Sequence, residues 1–265
     1  MKGLKRHLKL LFLFAKYSLM SQLEYRINFF SSVLVEMGYL LVKLTYVAVV
    51  YQAGVVINGL TPDHIIIFIG TYVLMTGLYM MFYPSFVMLP QAVRDGSLDM
   101  LITKPVSLQF MATFQRLDFG MPIPNCLGGL ILIVVGWSRA GLPVTFAHVG
   151  GFALFVLSGI FLTYCLFLIP QILSFWLVST RGLDELTAAV WDFNNMPMGI
   201  YSNWIQRLGT FVLPVFVITN FPGLCALDRL DPWSFLWGLA APILFFFICR
   251  WVWSRAVRHY ASASG

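Results

Sequence analysis

The chain has 265 residues, of which 59% are hydrophobic and 11% charged, with a formal net charge of +6. A soluble globular domain carries about 25% charged residues, so this composition excludes a chain that hides its apolar side chains in a water-soluble core. The remaining solvent is lipid. Uncharged stretches run over 64–93, 119–138, 140–180, 208–227 and 232–249, several reaching or approaching the ~20 residues that cross a bilayer core as a helix. The alternation in ~10-residue segments that marks an outer-membrane barrel is absent. An all-α membrane protein with six transmembrane helices is predicted.

The first element is basic over Met1–Lys9 and apolar over Leu10–Ala15, a run too short for a signal peptide, closed by Lys16 and followed by no small-residue cleavage site. It reads as a retained N-terminal amphipathic helix over 1–26. Leu4, Leu8, Leu11 and Ala15 repeat at helical spacing between Lys2, Lys5, Lys9 and Lys16, the pattern of a helix lying on a membrane surface.

A six-helix transmembrane domain over 27–253 follows. The first span, 27–53, carries Glu36 and Lys43, and a turn with Gly54, Asn58, Gly59 and Pro62 leads to the second, 65–89. A polar segment over 90–118 holds Arg94, Asp95, Asp99, Lys104, Arg116 and Asp118, and the third span is 119–137. The fourth, 149–179, has roughly 30 residues and would measure about 45 Å as one helix, so it either tilts out of the membrane or bends at Pro170. Leu183, Leu186, Val190 and Phe193 mark an amphipathic helix, with Asp184, Glu185 and Asp192 on other faces and Pro197 at its end. The fifth span is 208–227, with Pro214 and Pro222 inside it. The sixth is 233–253, and a tail over 254–265 ends the chain.

Lys and Arg set the orientation. With both termini cytoplasmic, fourteen of these residues fall inside, two (Arg139 and Arg229) fall outside, and Lys43 stays in the membrane. An even number of spans requires both ends on one side, and both are basic. The positive charge is thereby explained by topology, with no call for nucleic acid. The predicted location is the bacterial inner membrane.

Cys126, Cys165, Cys225 and Cys249 fall within apolar runs without a CxxC pair, and His7, His64, His148 and His259 are scattered; no metal site is expected. HExxH, GxSxG and the phosphate-binding GxxxxGK[ST] signature are all missing, so no catalytic residue is assigned. If ATP drives transport, another chain must hydrolyse it. Glu36 and Lys43 lie seven residues apart, two helical turns, on nearly one face. Buried ionisable groups are costly in a membrane. They either line a substrate path or a subunit interface, or pair structurally with other helices. Pro84, Pro122, Pro124, Pro170, Pro214 and Pro222 either mark hinges or reflect the ordinary tolerance of membrane helices for proline.

The segment Val93–Ser107 resembles the cytoplasmic coupling segment of permease subunits of type-2 ABC exporters, the ABC-2 class, with matches at Gly96, Ser97, Leu98, Asp99, Leu101, Lys104, Pro105 and Ser107. In that family the segment forms or borders the helix that docks on the ATPase. The resemblance implies that role for Arg94, Asp95, Gly96, Ser97, Leu98, Asp99, Leu101, Lys104 and Pro105. Ser97 can cap a short helix from Leu98, Asp99 favours its positive end, Leu98, Leu101 and Ile102 give it an apolar face, and Pro105 stops the chain beyond it. Met196–Tyr201 with Leu213–Pro222 resembles the fifth-span region of the same family, although Asn195 and Met196 depart from the aromatic or aliphatic residues expected before Pro197.

The resemblance implies two permease chains, identical or paralogous, above two ABC ATP-binding subunits. ATP and Mg would sit on those subunits, and no cofactor on this chain. Lipid surrounds the spans, and an exported hydrophobic or amphipathic cargo would leave through the interface between permeases, for which Glu36, Lys43, Pro214 and Pro222 are candidate pathway or interface residues. The alternative is an ion-coupled secondary carrier working without an ATPase.

Overall fold

A computed structural model describes residues 2–54, 56–177 and 181–260, with side chains for all of these except 2–4, 83, 181, 183 and 184. The helices in chain order are α1 (Lys2–Glu24), α2 (Arg26–Gln52), α3 (Pro62–Arg94), α4 (Leu98–Ile102), α5 (Leu108–Phe114), α6 (Pro122–Arg139), α7 (Phe146–Ile172), α8 (Arg181–Asp192), α9 (Asn203–Arg207), α10 (Val215–Ala226) and α11 (Pro232–His259). Short 3-10 turns cover Leu173–Phe175, Phe193–Asn195 and Met198–Ile200, and a π-helical turn, Leu208–Val212, extends α9. Among the described residues, five stretches are long and apolar enough to cross a membrane: α2, α3, α6, α7 with its 3-10 turn, and α11. The expected all-helical class therefore holds.

Local chemistry sets the helix starts. Pro62 opens α3 behind Thr61, whose amide donates to His64 Nδ1 at 3.2 Å. Asp231 caps α11 by accepting from the Ser234 amide at 2.9 Å, supplying a partner for one of the four amides that a helix N-terminus leaves unpaired. α7 runs through Pro170 without interruption and gives way to the 3-10 turn only after Ile172. Residues 178–179 of the expected fourth span lie outside the described residues.

The centre of the bundle is the antiparallel pair α3 and α6. Gly70 and Gly77 on one, and Gly129 and Gly136 on the other, repeat at seven-residue spacing and let the two backbones touch. A Cβ at Gly129 would sit 2.5 Å from Leu74 N and 2.8 Å from Gly70 O, and one at Gly70 would sit 2.8 Å from Ile133 N. Such stripes of small residues are how helices associate in lipid, where van der Waals contact replaces hydrophobic burial. On the other side α7 meets α10 and α11, with Phe155 edge-on to Phe221 and Phe235 at centroid separations of 5.9 and 5.1 Å.

The bundle has two distinct ends. At one, Arg229 donates to Asn58 O at 3.1 Å and Gly59 O at 2.9 Å, Asn58 donates to Gly199 O at 3.1 Å, and Arg139 bonds Tyr51 and Asp63. At the other, Phe175 packs on Trp253 and Tyr260, and Ser85 bonds Arg116. Between them Trp191 stacks on Tyr79 at 5.0 Å and meets Phe167 edge-on at 5.3 Å. Phe175 and Gly199 thus lie at opposite ends of the bundle, with Trp191 of α8 between them.

Two expectations change as a result. The stretch expected as a fifth span, 208–227, is two helical pieces, Asn203–Val212 and Val215–Ala226, meeting at 101°. They leave from the end that holds Gly199 and return to it: Ile218 O packs on Gly159, Cys225 Sγ on Gly151, and Asp228 reaches His148 at 3.0 Å. α10 has 12 residues, about 18 Å at 1.5 Å per residue, short of the ~30 Å hydrocarbon core. Arg207, one of the fourteen Lys and Arg counted above as inside, lies at the end of the bundle opposite the coupling segment. The amphipathic face of α8 also differs from the one expected. Thr187 and Trp191, four residues apart, are buried, whereas Leu186 and Phe193 are exposed; Leu183 and Asp184 have no described side chains.

Replacing Gly129 by Val drives new carbon into the α3 backbone and should destabilise the protein by about 1–3 kcal/mol or more, read as a lower melting temperature of the purified protein in detergent. Gly38→Ala, whose new Cβ would meet nothing within 4 Å, should leave the melting temperature unchanged or slightly raised.

Candidate functional site

The coupling segment begins where α3 stops. Gly96 has φ of +75°, a left-handed backbone open to glycine at little cost, and it turns the chain back toward the bundle. Asp95 Oδ1 accepts from the Ser97 amide at 2.9 Å, an Asx turn. Hydrogen bonds from Ser97 hold the exposed Asp95 carboxyl below its usual range. The capping role expected of Ser97 is therefore not the one observed. Ser97 lies in helical backbone with no side-chain cap bond to α4, and Asp95 supplies the ordering carboxylate two residues earlier.

Leu98 is 1% exposed and packs with Phe86, Leu89, Ala112 and Trp253, and Leu101 is half-buried against the same cluster. They anchor α4 from beneath, so Leu98 is unavailable as a docking face. The apolar residues turned outward are Met100, 67% exposed, and Ile102, 46% exposed. Arg94, Asp95, Lys104 and Pro105 are exposed around them, with Gly96 and Asp99 half-buried. The outward surface of the segment is an apolar patch edged by charge.

Two further elements clamp this segment. Ser85 Oγ donates to Arg116 O at 2.6 Å and accepts from Arg116 N at 3.0 Å, while the Asp118 amide donates to Met81 O at 3.0 Å. These contacts flank Pro84, which has no amide to give the helix. From α1, Ser18 Oγ accepts from Leu117 N at 3.1 Å. Gln22 accepts from Phe119 N at 3.1 Å and donates to Leu117 O at 2.6 Å. Arg6 donates to Pro105 O, and His7 lies edge-on to Phe110 at 4.8 Å. The N-terminal helix and the coupling segment are one mechanical unit. Arg6, Ser18 and Gln22 were not singled out from the sequence; the four-residue step from Ser18 to Gln22 was the one local hint of a polar face.

Glu36 and Lys43 separate. Glu36 is 5% exposed and its Oε2 accepts from Asn125 Nδ2 at 2.8 Å, closing α2 onto α6. Lys43 instead lines an open pocket of 450 Å3 with Tyr46, Val49, Ile69, Tyr72 and Asn195. Its ammonium donates to Asn195 Oδ1 at 2.5 Å and lies 4.8 Å from the Tyr72 ring centre. Tyr46 donates to Met196 Sδ at 2.8 Å. Asn195 and Met196, the two residues that depart from the family pattern, are thus the ones that meet Lys43 and Tyr46. Pro214 and Pro222 are buried in the bent hairpin against α7, apart from this pocket. Pro222 cannot donate to Ile218 O, and that carbonyl faces Gly159, where an added Cβ would come within 2.8 Å of it.

A family model described as ABC-2 family transporter protein matches residues 37–264. The chain belongs to the ABC-2 transporter family. Comparisons with curated proteins and with solved structures give no match. The family match and the long apolar helices identify a multi-pass membrane permease of an ABC transporter, a family whose members work with an ATP-binding subunit.

The Glu36–Asn125 contact yields a stability test. Asn125→Leu leaves a buried carboxylate without its donor, at a cost of about 1–3 kcal/mol, and should lower the melting temperature. The double variant Glu36→Leu/Asn125→Leu should recover much of that loss, since removing both polar partners avoids the orphan. A single variant as stable as the parent would show that the carboxylate has another donor.

Proposed function

We propose that this permease is the transmembrane half of an ATP-driven exporter for a hydrophobic or amphipathic molecule, with two permease chains over two ATP-binding subunits that carry ATP and Mg. The observation that carries the reading is the build of the coupling segment. α4 is anchored inward through Leu98 and presents Met100 and Ile102, edged by Arg94, Asp95 and Lys104, away from the bundle. An outward apolar patch on a five-residue helix, held by both α1 and α3, fits a surface that receives motion from a partner and passes it on.

The membrane arrangement follows from the same axis. The crossings are α2, α3, α6, α7, the stretch from α8 to Ile200, and α11, with 203–226 as a re-entrant hairpin on the far side. The coupling end is cytoplasmic, as are both termini, in a bacterial inner membrane. With Arg207 moved to the outer end, thirteen Lys and Arg stand inside against three outside, so the charge bias supports this orientation. α1 turns Leu8 and Phe12 outward, toward the lipid surface. The cargo path is proposed to run past Lys43, which opens onto a pocket, rather than past Glu36, which is closed off on Asn125. That closure also counts against an ion-coupled carrier, whose working carboxylate Glu36 would have to be.

Affinity purification of the tagged chain from its own membranes in mild detergent should bring down an ABC ATP-binding subunit in near-equal amount. Met100→Asp/Ile102→Asp should reduce that subunit's recovery several-fold while the permease still inserts and folds. Leu98→Asp should instead lower the folded yield itself, because it places a charge in the packed cluster. Undiminished recovery with the Met100/Ile102 variant would reject the docking face. A chain that purifies alone and moves solute without ATP would favour the carrier.

A further inference from the structure

A second cavity, of 310 Å3, lies between α3, α5, α7 and α11, at the coupling half of the bundle. Its walls are almost wholly hydrocarbon and aromatic: Tyr79, Phe82, Phe86, Phe161, Tyr164 and Phe246. Phe161 and Phe246 are 58% and 40% exposed, so the cavity opens sideways, toward the surface that the bundle shows to lipid. One turn beyond Phe246 on the same face of α11 stands Arg250.

Arg250 is tied to the cavity by a polar relay. Its Nη1 donates to Gln109 Oε1 at 2.5 Å, and Gln109 Nε2 donates to the Tyr164 hydroxyl at 2.8 Å, with Tyr164 in the cavity wall. Gln109 is 7% exposed, which fixes where the guanidinium points. Among the described residues no carboxylate pairs with Arg250. It is a fixed, exposed cation with a neutral partner, at the mouth of a greasy cavity and at the membrane-boundary end of a transmembrane helix.

We propose that this is a binding site for an anionic glycerophospholipid of the leaflet at the coupling end, with its phosphate on Arg250 and one acyl chain in the aromatic cavity. Guanidinium recognises phosphate by paired, charge-assisted hydrogen bonds, and donors remain on Arg250 beyond the one given to Gln109. A zwitterionic lipid brings a cationic headgroup toward Arg250, Arg255 and Arg258 on the same helix end, so the unpaired guanidinium favours a net-anionic headgroup. The site also touches the coupling machinery. α5 supplies Thr113 and Phe114 to the cavity wall and Gln109 to the relay, and only residues 103–107 separate it from α4. A lipid in place would brace α5 against α7 and α11.

Native mass spectrometry of the full-length chain, delipidated in detergent and given equal additions of phosphatidylglycerol and phosphatidylcholine, reads this directly and does not depend on any ATPase partner. The parent should retain phosphatidylglycerol in preference. Arg250→Gln should weaken that retention by about tenfold, the value of one charge-assisted contact, and Arg250→Lys should restore part of it. Ile160→Trp, which fills the cavity and leaves Arg250 in place, should also reduce phosphatidylglycerol retention, and it serves as the test if the Arg250 variant does not fold. Parent-level retention in either folded variant, or no preference between the two lipids in the parent, would overturn the site.

Discussion

The direct contact between the α3 and α6 backbones is the constraint on which the rest of this permease depends. In lipid there is no hydrophobic effect to drive one apolar helix onto another, so association needs surfaces that fit closely. Glycines at two-turn spacing on both helices supply that fit, and no side chain lies between the backbones at Gly70 and Gly129. Once the pair is fixed, α3 can act as a post. Its N-terminal part offers Tyr72 to Lys43, its middle offers Tyr79 to Trp191, and its C-terminal part carries Ser85 and Met81 to the coupling segment.

The second feature is where the polar groups go. Buried donors and acceptors in a membrane bundle need partners within the protein, and several of those in this chain find them at the points where elements join. Asn125 closes α2 on α6 through Glu36, and Thr219 and Asn220 tie the bent hairpin to the 3-10 turns at Asn194 and Met198. Gln22 and Ser18 take the amides and carbonyl that the irregular stretch 117–119 leaves open. These polar side chains mark junctions, which is why a substitution at one of them is expected to disturb geometry before it disturbs chemistry.

Much of the fold was legible because charge is scarce: uncharged stretches fall on α3, α6, α7 and most of α11, and α2 reads as a span although Glu36 and Lys43 interrupt it. The region from 181 to 227 was not legible, for a physical reason. Hydropathy averages over a window and cannot see direction, so the 208–227 stretch read as a straight span although the chain turns through 101° around Leu213 and Pro214. For α8 the apolar face reads from the sequence as Leu183, Leu186, Val190 and Phe193, whereas Thr187 and Trp191 are the buried ones, and polar residues lie close by. Tertiary partners absorb that polarity, with Asn194 accepting from Thr219 and Asn195 accepting from Lys43. The coupling segment was legible as a sequence pattern but not in orientation. A helix of five residues has too few positions for its periodicity to say which leucine faces inward, and Leu98 proved to be the anchor.

These junctions impose a direction on how motion can travel. α4 cannot shift alone, because Leu98 is locked beneath it into a cluster shared by α3, α5, α7 and α11. On the proposed docking reading, a push on Met100 and Ile102 would load α3, α5, α7 and α11 through that cluster, and α1 through the contacts of Arg6, His7, Ser18 and Gln22. The compliant element is then α2, which buries little of its length and leans on α6 through Leu40 against Gly128 and through Glu36. α1 leads into α2 across Tyr25, the single residue between them. On the proposed reading, movement received at the docking face would pass from α1 into α2, and the Lys43 pocket, bounded by α2 on one side and by α3 with Asn195 on the other, is the cavity that a turn of α2 would open or shut.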